Sequence, residues 1–435
     1  MKKLVFALSV AALVCCKKHS QTNAEQKKLN EISREYVKLG LSIGAYDIDF
    51  VDAYYGPDSL KPATTDTAQF PKEELLQKAA KLRSQLDSLL SKTASDTVSH
   101  RAAWLSAQLK AYDRRIRIFS GEFENFDIET KALFDATAPV HEEAHFKQLV
   151  AQLDGALPGK GNLPDRFQQL AKRFLIPKNK VDTVFRAAIA EARKRTLAHY
   201  QLPAGETFKL EYVTDKPWSG YNWYKGNYNS VIQINVSQPI FIDRAIDLAC
   251  HEGYPGHHVY NVLLEKTLYR EKGWTEISLY PLFSPQSLIA EGSANYGIAV
   301  AFPGSESQQF SQNVLLPLAG LDTTGAGRYF QAIALRSKLN YARNEVARGL
   351  LNQSMSDTEA HRWLTDYCLL TDKGATDYLR FIRKYRGYVI NYNYGQDLVK
   401  NYIEGNQSGM DANARWARFE KLLSNETKAS DLLGK

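Results

Sequence analysis

The sequence predicts a mainly α fold: a large multi-helix body with a small antiparallel β-sheet beside one central helix. Through the first two hundred residues, and again beyond residue 306, apolar residues recur at three- and four-residue spacing, the period of a half-buried helix. Between these stretches, "FKLEYV" and "SVIQINVS" alternate apolar and polar residues, as half-buried strands do. The chain has 435 residues, 44% hydrophobic and 24% charged, which suits a folded protein able to bury a sizeable core.

Residues 1–16 stand apart from that body. Lys2 and Lys3 precede an apolar run, Leu4 to Val14, too short to span a bilayer, which ends in "LVCCKK". A Leu three residues before a Cys resembles a bacterial lipoprotein cleavage site. Cys16 then becomes the lipidated residue, with Cys15 as the alternative. The expectation is an exported, cell-envelope lipoprotein on the periplasmic or surface face, membrane-bound through its N-terminal lipid only. Residues 17–28 read as a polar, flexible tether.

The N-terminal helical region, 29–205, is predicted to hold helices near 26–45, 72–92, 99–120, 141–154, 164–175 and 179–201. "AYDIDFVDAYYGPDSL" interrupts it, with a turn at Gly56-Pro57. Residues 206–305 form the expected core. They comprise the two strands, an aromatic- and Gly-rich hairpin or long loop between them, a helix from Ile240 to Leu264 and a second from about Pro285 to Ala301. The C-terminal region, 306–435, is helical again, near 308–318, 324–352, 356–370, 373–385 and 395–404. The net charge of +7 is spread along the chain without a run of Lys and Arg, which argues against a nucleic-acid partner. After export only Cys250 and Cys368 remain, too few for a disulfide framework, and Cys250 reads as a small buried residue.

Two histidine stretches compete as metal sites. "HEEAH", His141 to His145, matches the short zinc signature letter for letter. Pro139 just upstream, however, fits a helix start, and Glu142 and Glu143 then occupy a first turn where the helix dipole favours negative charge. That explains the segment structurally. "HEGYPGHH", His251 to His258, departs from the signature: Pro255 stands where the second histidine belongs. In a straight helix, residues six apart differ by about 240°, and residues seven apart are separated by about 10 Å of rise. Neither pair could share an ion. The stretch becomes a site only if Pro255 and Gly256 loop out, because proline removes a helical hydrogen bond and glycine permits a tight detour. His257 then takes the place of the second ligand, with His258 as the alternative.

A hydrolytic zinc site needs three protein ligands and an open position. Glu291, in "LIAEGSANYGIAV", is the third candidate, among Gly292, Ser293, Ala294 and Gly297, which permit close helix approach. Glu265 is its rival, two turns past His257. Glu252, beside the first ligand, is placed to take a proton from water at the open position. Asn295, one turn after Glu291, and Asp247, one turn before His251, could hydrogen-bond a ligand histidine from behind. "SVIQINVS" could act as an edge strand that pairs with extended peptide. Tyr392 or Tyr394, in the tyrosine-dense "YRGYVINYNYGQ", could donate to a developing oxyanion, and Tyr394 is taken as the candidate.

"HEGYPGHH" with "AEGSANYG" resembles the DUF885 family, bacterial proteins often described as lipoproteins and grouped with the zinc peptidases of the HExxH clan. "VDAYYGPDSL" and "HEEAHFKQLVAQLDGALPG" are similar to other segments of that family, so the resemblance covers nearly the whole mature chain. It implies a zincin-like metallopeptidase fold, with the His-Glu motif on His251, Glu252 and His257-His258 and the downstream glutamate on Glu291. A downstream "DTGLH"-like segment is replaced by "ARGLL", ending at Leu351. The family's "PGQALSYK" corresponds to "YNYGQDLVKNY", which keeps Gly395 and Gln396. Together these readings predict a hydrolase holding one Zn2+ per chain and acting on a peptide or small amide substrate. The alternatives are a non-catalytic binding lipoprotein on the same fold, and a zinc amidase or esterase acting on cell-wall fragments.

Overall fold

The computed structural model describes residues 2–63, 69–216, 218–405 and 410–433, with side chains from residue 23. The side chains of residues 1–22, those of Cys15 and Cys16 among them, lie outside what is described, and with them the expected lipidation site. Among the described residues no helix is long and apolar enough to cross a membrane.

The first helix, α1 (Lys2–Gly44), carries the predicted stripe. Leu29, Ile32, Tyr36, Leu39 and Ile43 are all buried, each side chain contributing about 1.5–3 kcal/mol of burial. The stripe packs on α2 (Lys72–Leu90) and α3 (Asp96–Phe119). α3 starts where Ser95 Oγ accepts from the Val98 amide, satisfying a first-turn donor. A short strand, β1 (Val51–Tyr54), follows α1 where a pattern break was expected. The region continues with α4 (Phe126–Phe134), α5 (Glu143–Ala156), α6 (Leu163–Lys172) and α7 (Val181–Leu197).

The core holds three strands rather than two. They are β2 (Thr207–Val213), β3 (Gly220–Gly226) and β4 (Asn229–Asn235), in the order β2-β4-β3. β3 lies within the stretch expected as a hairpin or loop. It pairs antiparallel with β4 through a tight turn, whereas β2 lies parallel to β4. The segment "SVIQINVS" is therefore central, not an edge, and the edge beside the site belongs to β3.

The helix expected from Ile240 to Leu264 is broken into α8 (Ile242–Leu248), a π-turn over Ala249–Gly253, and α9 (His257–Leu264). A second π-turn, Glu265–Arg270, and a 3-10 turn, Thr275–Ser278, lead to β5 (Leu279–Pro281), which pairs antiparallel with β1. Buried Arg101 on α3 locks that turn: its Nε lies 2.5 Å from Glu276 Oε1 and its Nη1 2.7 Å from Asn30 Oδ1, while Ser33 also donates to Glu276. Removing one partner of such a buried pair costs about 3–5 kcal/mol.

α10 (Pro285–Ala301) crosses behind the broken helix. Smaller helices follow: α11 (Glu306–Phe310), α12 (Leu316–Ala319), α13 (Ala326–Lys338), α14 (Ala342–Leu351), α15 (Asp357–Asp366) and α16 (Asp372–Tyr385). The chain ends with α17 (Ile390–Glu404), α18 (Ala412–Leu423) and α19 (Ala429–Leu432). α10 and α17 pack backbone to backbone, because a Cβ on Gly292 would stand 2.4 Å from the Gly395 carbonyl oxygen. The small residues of "AEGSANYG" set that closeness.

Candidate metal centre

The break in the helix sits at the interrupted histidine motif. The π-turn carries His251 and Glu252, and the chain leaves the helix at Tyr254. The Tyr254–Pro255 peptide is cis. The detour closes on itself: the Tyr254 amide donates to Ala249 O at 3.1 Å, and the Gly256 amide to Cys250 O at 2.9 Å. A Cβ on Gly256 would stand 2.0 Å from the His251 carbonyl oxygen, so no other residue fits there. α9 then restarts at His257.

The detour brings the His251 and His257 Nε2 atoms to 3.1 Å from each other. Glu291 Oε2, from α10, lies 3.4 Å from the first and 3.8 Å from the second. Ligand atoms bonded at about 2.0–2.1 Å around one zinc ion are separated by similar distances. Among the described residues, His251, His257 and Glu291 are the one group of three or more metal-capable side chains so placed. Glu291 Oε2 is buried and has no hydrogen-bond partner, which a cation would supply. The donor set, two imidazoles and a carboxylate, suits zinc. About 13% of the His251 side chain and 12% of the His257 side chain stay exposed, so the group is reachable from one side.

Two of the three side chains, His251 and Glu291, are aimed by a partner on the far side. His251 Nδ1 meets Asn295 Oδ1 at 3.0 Å. The amide oxygen accepts, which leaves the His251 Nε2 lone pair facing the group. Asn295 is itself oriented, since its Nδ2 donates to Tyr392 O at 2.8 Å. Tyr388 donates to Glu291 Oε1 at 2.8 Å, leaving Oε2 for the centre. The charges agree with this arrangement. Burial alone would raise the Glu291 carboxyl, but His251 and His257 outweigh it and hold the group well below the usual carboxylate range. Burial pulls the His251 imidazole down, and Glu252 and Glu291 reverse that, so it ends above its ordinary value.

Glu252 is buried beside His251, against the start of β3. A Cβ on Gly220 would stand 3.1 Å from its Oε1, and Asn222 Nδ2 donates to its carbonyl at 2.7 Å.

Four expected residues sit elsewhere. His258 is fully buried with both ring nitrogens engaged, Nδ1 with Ser230 Oγ at 2.8 Å and Nε2 with Glu206 Oε2 at 2.9 Å; it ties α9 to the sheet and touches no ligand. Asp247 pairs with Arg244 instead of standing behind His251, because the π-turn rotates His251 away from the regular one-turn relation. Tyr394 has Asp397, not the ligand group, as its charged neighbour. Glu265, the rival ligand, is consumed by Tyr224, by Arg270 and by the Asn227 amide at 3.0 Å. Cys250 is buried and its thiol is pushed up by burial.

"HEEAH" builds no centre. His141 precedes α5, which starts at Glu143 with Glu142 as its N-cap. The two rings stack, 4.7 Å apart, and no carboxylate joins them in a metal-capable group among the described residues. Glu143 is taken up by Tyr367, by Arg362 at 3.3 Å and by Lys147 at 3.2 Å.

Sequence reasoning missed two neighbours of the group. Tyr388 lies in the tyrosine-dense stretch, where nothing local distinguishes it from Tyr392 or Tyr394. Asp52 arrives through the β1–β5 pairing, and Tyr221 from β3 donates to it. Burial pushes the Asp52 carboxyl up to about 6; Tyr221 and His257 oppose that, and Glu291 and Glu252 add to it. Its stretch, "VDAYYGPDSL", interrupts the helical pattern, but a four-residue strand is too short to declare its partner.

No protein-family model matches the chain, and no curated protein matches it. Several solved structures are similar in fold. A proposed lipoprotein from Colwellia psychrerythraea has TM-score 0.48 at 14% identity, covering 82% of this chain and 67% of that one. Metallocarboxypeptidase 1 of Trypanosoma cruzi has TM-score 0.46 at 13% identity, covering 94% and 95%. The M32 carboxypeptidase of Deinococcus radiodurans R1 has TM-score 0.40 at 15% identity, covering 92% and 90%. At such scores and identities these likenesses lend no activity to this chain.

Proposed function

We propose that this chain is a zinc-dependent hydrolase of the DUF885 type, a metallopeptidase cleaving peptide bonds in the bacterial envelope, tethered through lipidated Cys16. The observation that supports it most is the group itself: His251, His257 and Glu291 with ligand atoms within 4.8 Å of one another, one of them a buried, unpartnered carboxylate oxygen. These three residues would hold one zinc ion. Bound there, zinc supplies positive charge that acidifies water and polarises a carbonyl.

The chain's own residues supply the rest. Glu252 takes a proton from the attacking water and returns it to the leaving amine. Asn295 keeps His251 in one tautomer, and Tyr388 keeps Glu291 turned inward. β3, an edge strand starting against Glu252, offers backbone groups to an extended peptide. The Trp218, Tyr221 and Trp223 rings, tilted against one another, give that edge an aromatic surface.

The test is metal content together with peptide-library digestion. About one zinc per chain and cleavage that disappears with Glu252→Gln support the reading. A chain that takes up no zinc after reconstitution, with Glu252→Gln as active as its parent, overturns it. Zinc without peptide cleavage shifts the reading to a binding lipoprotein, or to an amidase or esterase.

A further inference from the structure

The surroundings of the metal group include an acid that the proposed chemistry leaves unused. Asp52 sits on β1, where the β1–β5 register slips between Val51 and Ala53. Such a bulge re-aims a side chain out of the regular alternation. Ala53 turns into the core, while Asp52 keeps part of its surface exposed. Tyr221, from β3, donates to its Oδ1. Burial first, then Asp52 and Glu291, raise the Tyr221 and Tyr280 hydroxyls alike, so the two carboxylates flank the same pair of rings.

Asp52 has no cation of its own. Its charged neighbours are His257, Glu291 and Glu252. Among the described residues no lysine or arginine pairs with it, and no hydrogen bond reaches its second carboxylate oxygen. A carboxylate so placed is costly unless a positive partner arrives. Glu291 faces His251 and His257, and in the proposed centre Glu252 and Glu291 together balance a divalent ion. That leaves the Asp52 charge over. Holding Tyr221 does not by itself account for an acid here, since a neutral asparagine oxygen accepts the same hydrogen bond.

We propose that Asp52 receives an ammonium group of the substrate, from the free amino end of a peptide or from a lysine side chain, close to the bond that is cut. The proposal rests on the hydrolase reading and narrows its substrates to peptides carrying such a group.

The test is calorimetric titration of the full chain with three probes that hold no bond to cleave. Leucinol carries an amine like that of a peptide's amino end, 4-methylpentanol is the same molecule without it, and pentylamine copies a lysine side chain. Leucinol or pentylamine should bind saturably and at least about tenfold tighter than 4-methylpentanol, and the tighter of the two names the source. Asp52→Asn, which keeps an oxygen for Tyr221, should remove that advantage while zinc content stays at the parent's. Cleavage should follow binding. If leucinol leads, trialanine should exceed N-acetyl-trialanine about tenfold in kcat/KM, and the variant should close the gap. An amine bound no better than 4-methylpentanol, or an advantage that survives Asp52→Asn, overturns the inference. Zinc lost with Asp52→Asn also overturns it, by making Asp52 a positioning residue for His257. A chain that holds the amine through Asp52 but cleaves no peptide leaves this site standing and fails the hydrolase reading instead.

Discussion

"HEEAH" and "HEGYPGHH" are the two histidine-rich segments of this molecule, and they invert what their letters suggest. The first matches a zinc signature and yields two stacked rings at a helix start. The second breaks the signature with Pro-Gly and yields two Nε2 atoms 3.1 Å apart, facing a carboxylate. The signature is shorthand for one geometry, two rings on one face of a continuous helix. At 141–145 the helix begins too late to create that face. At 251–258 a backbone detour recreates it with two extra residues. Surroundings complete the difference: Glu143 is occupied by Tyr367 and Arg362, whereas Glu291 keeps one oxygen free.

The sharpest way to break this comparison is metal content. His251→Ala and His257→Ala should each abolish zinc binding, while His141→Ala and His145→Ala should retain about one zinc per chain, measured by elemental analysis of the purified protein. Zinc lost with His141→Ala would reverse the assignment. Next in size is the proposed general base. Glu252→Gln should lower kcat about a hundred- to ten-thousandfold with metal retained, whereas Glu142→Gln, at the same place in the other motif, should leave kcat within a factor of two or so.

The detour can be tested on its own. Gly256→Ala forces a Cβ into the His251 carbonyl. It should destabilise the fold by about 3 kcal/mol or reduce zinc affinity as the loop shifts, read by thermal melting and a chelator competition. A variant with parental Tm and affinity would show that the detour does not set the ligand geometry. A smaller effect is expected behind the ligand. Asn295→Ala should weaken zinc about 10- to 100-fold, while Asp247→Ala should leave affinity unchanged, because Asp247 faces Arg244.

The smallest effect separates the motifs by pH. Burial first, and the neighbouring His145 next, hold the His141 imidazole below its ordinary value. A depressed histidine contributes stability that is fully present above the unfolded-state pKa of about 6.5 and is lost as pH falls through the lower folded value. The Tm of the parent should therefore drop more steeply below about pH 6.5 than that of His141→Gln. Parallel acid limbs would show that His141 titrates as it does in the unfolded chain.

Much of the fold was legible because helix periodicity is local. The α1 stripe can be read residue by residue, and Pro255 with Gly256 mark where the chain must loop out if the histidines share a site. Local spacing also restricted the ligands to a few candidates. It could not say which of His257 and His258 faces His251 and Glu291, since both follow the detour and either rotation satisfies the spacing. The sheet decides: Ser230 and Glu206 capture both nitrogens of His258 and turn its neighbour toward His251. Likewise Glu265 and Glu291 were both plausible carboxylates until Tyr224, Asn227 and Arg270 claimed the first. β3 was hidden by its Gly, Asn and aromatic composition, and Asp52 by a four-residue strand whose partner lies more than two hundred residues downstream. By itself, then, the sequence determined the helices, the need for a break at Pro255-Gly256 and a short set of possible ligands, because those follow from backbone geometry within a few turns. Which side chains converge, and which are diverted, only the tertiary structure decided, because that depends on long-range partners competing for each polar atom.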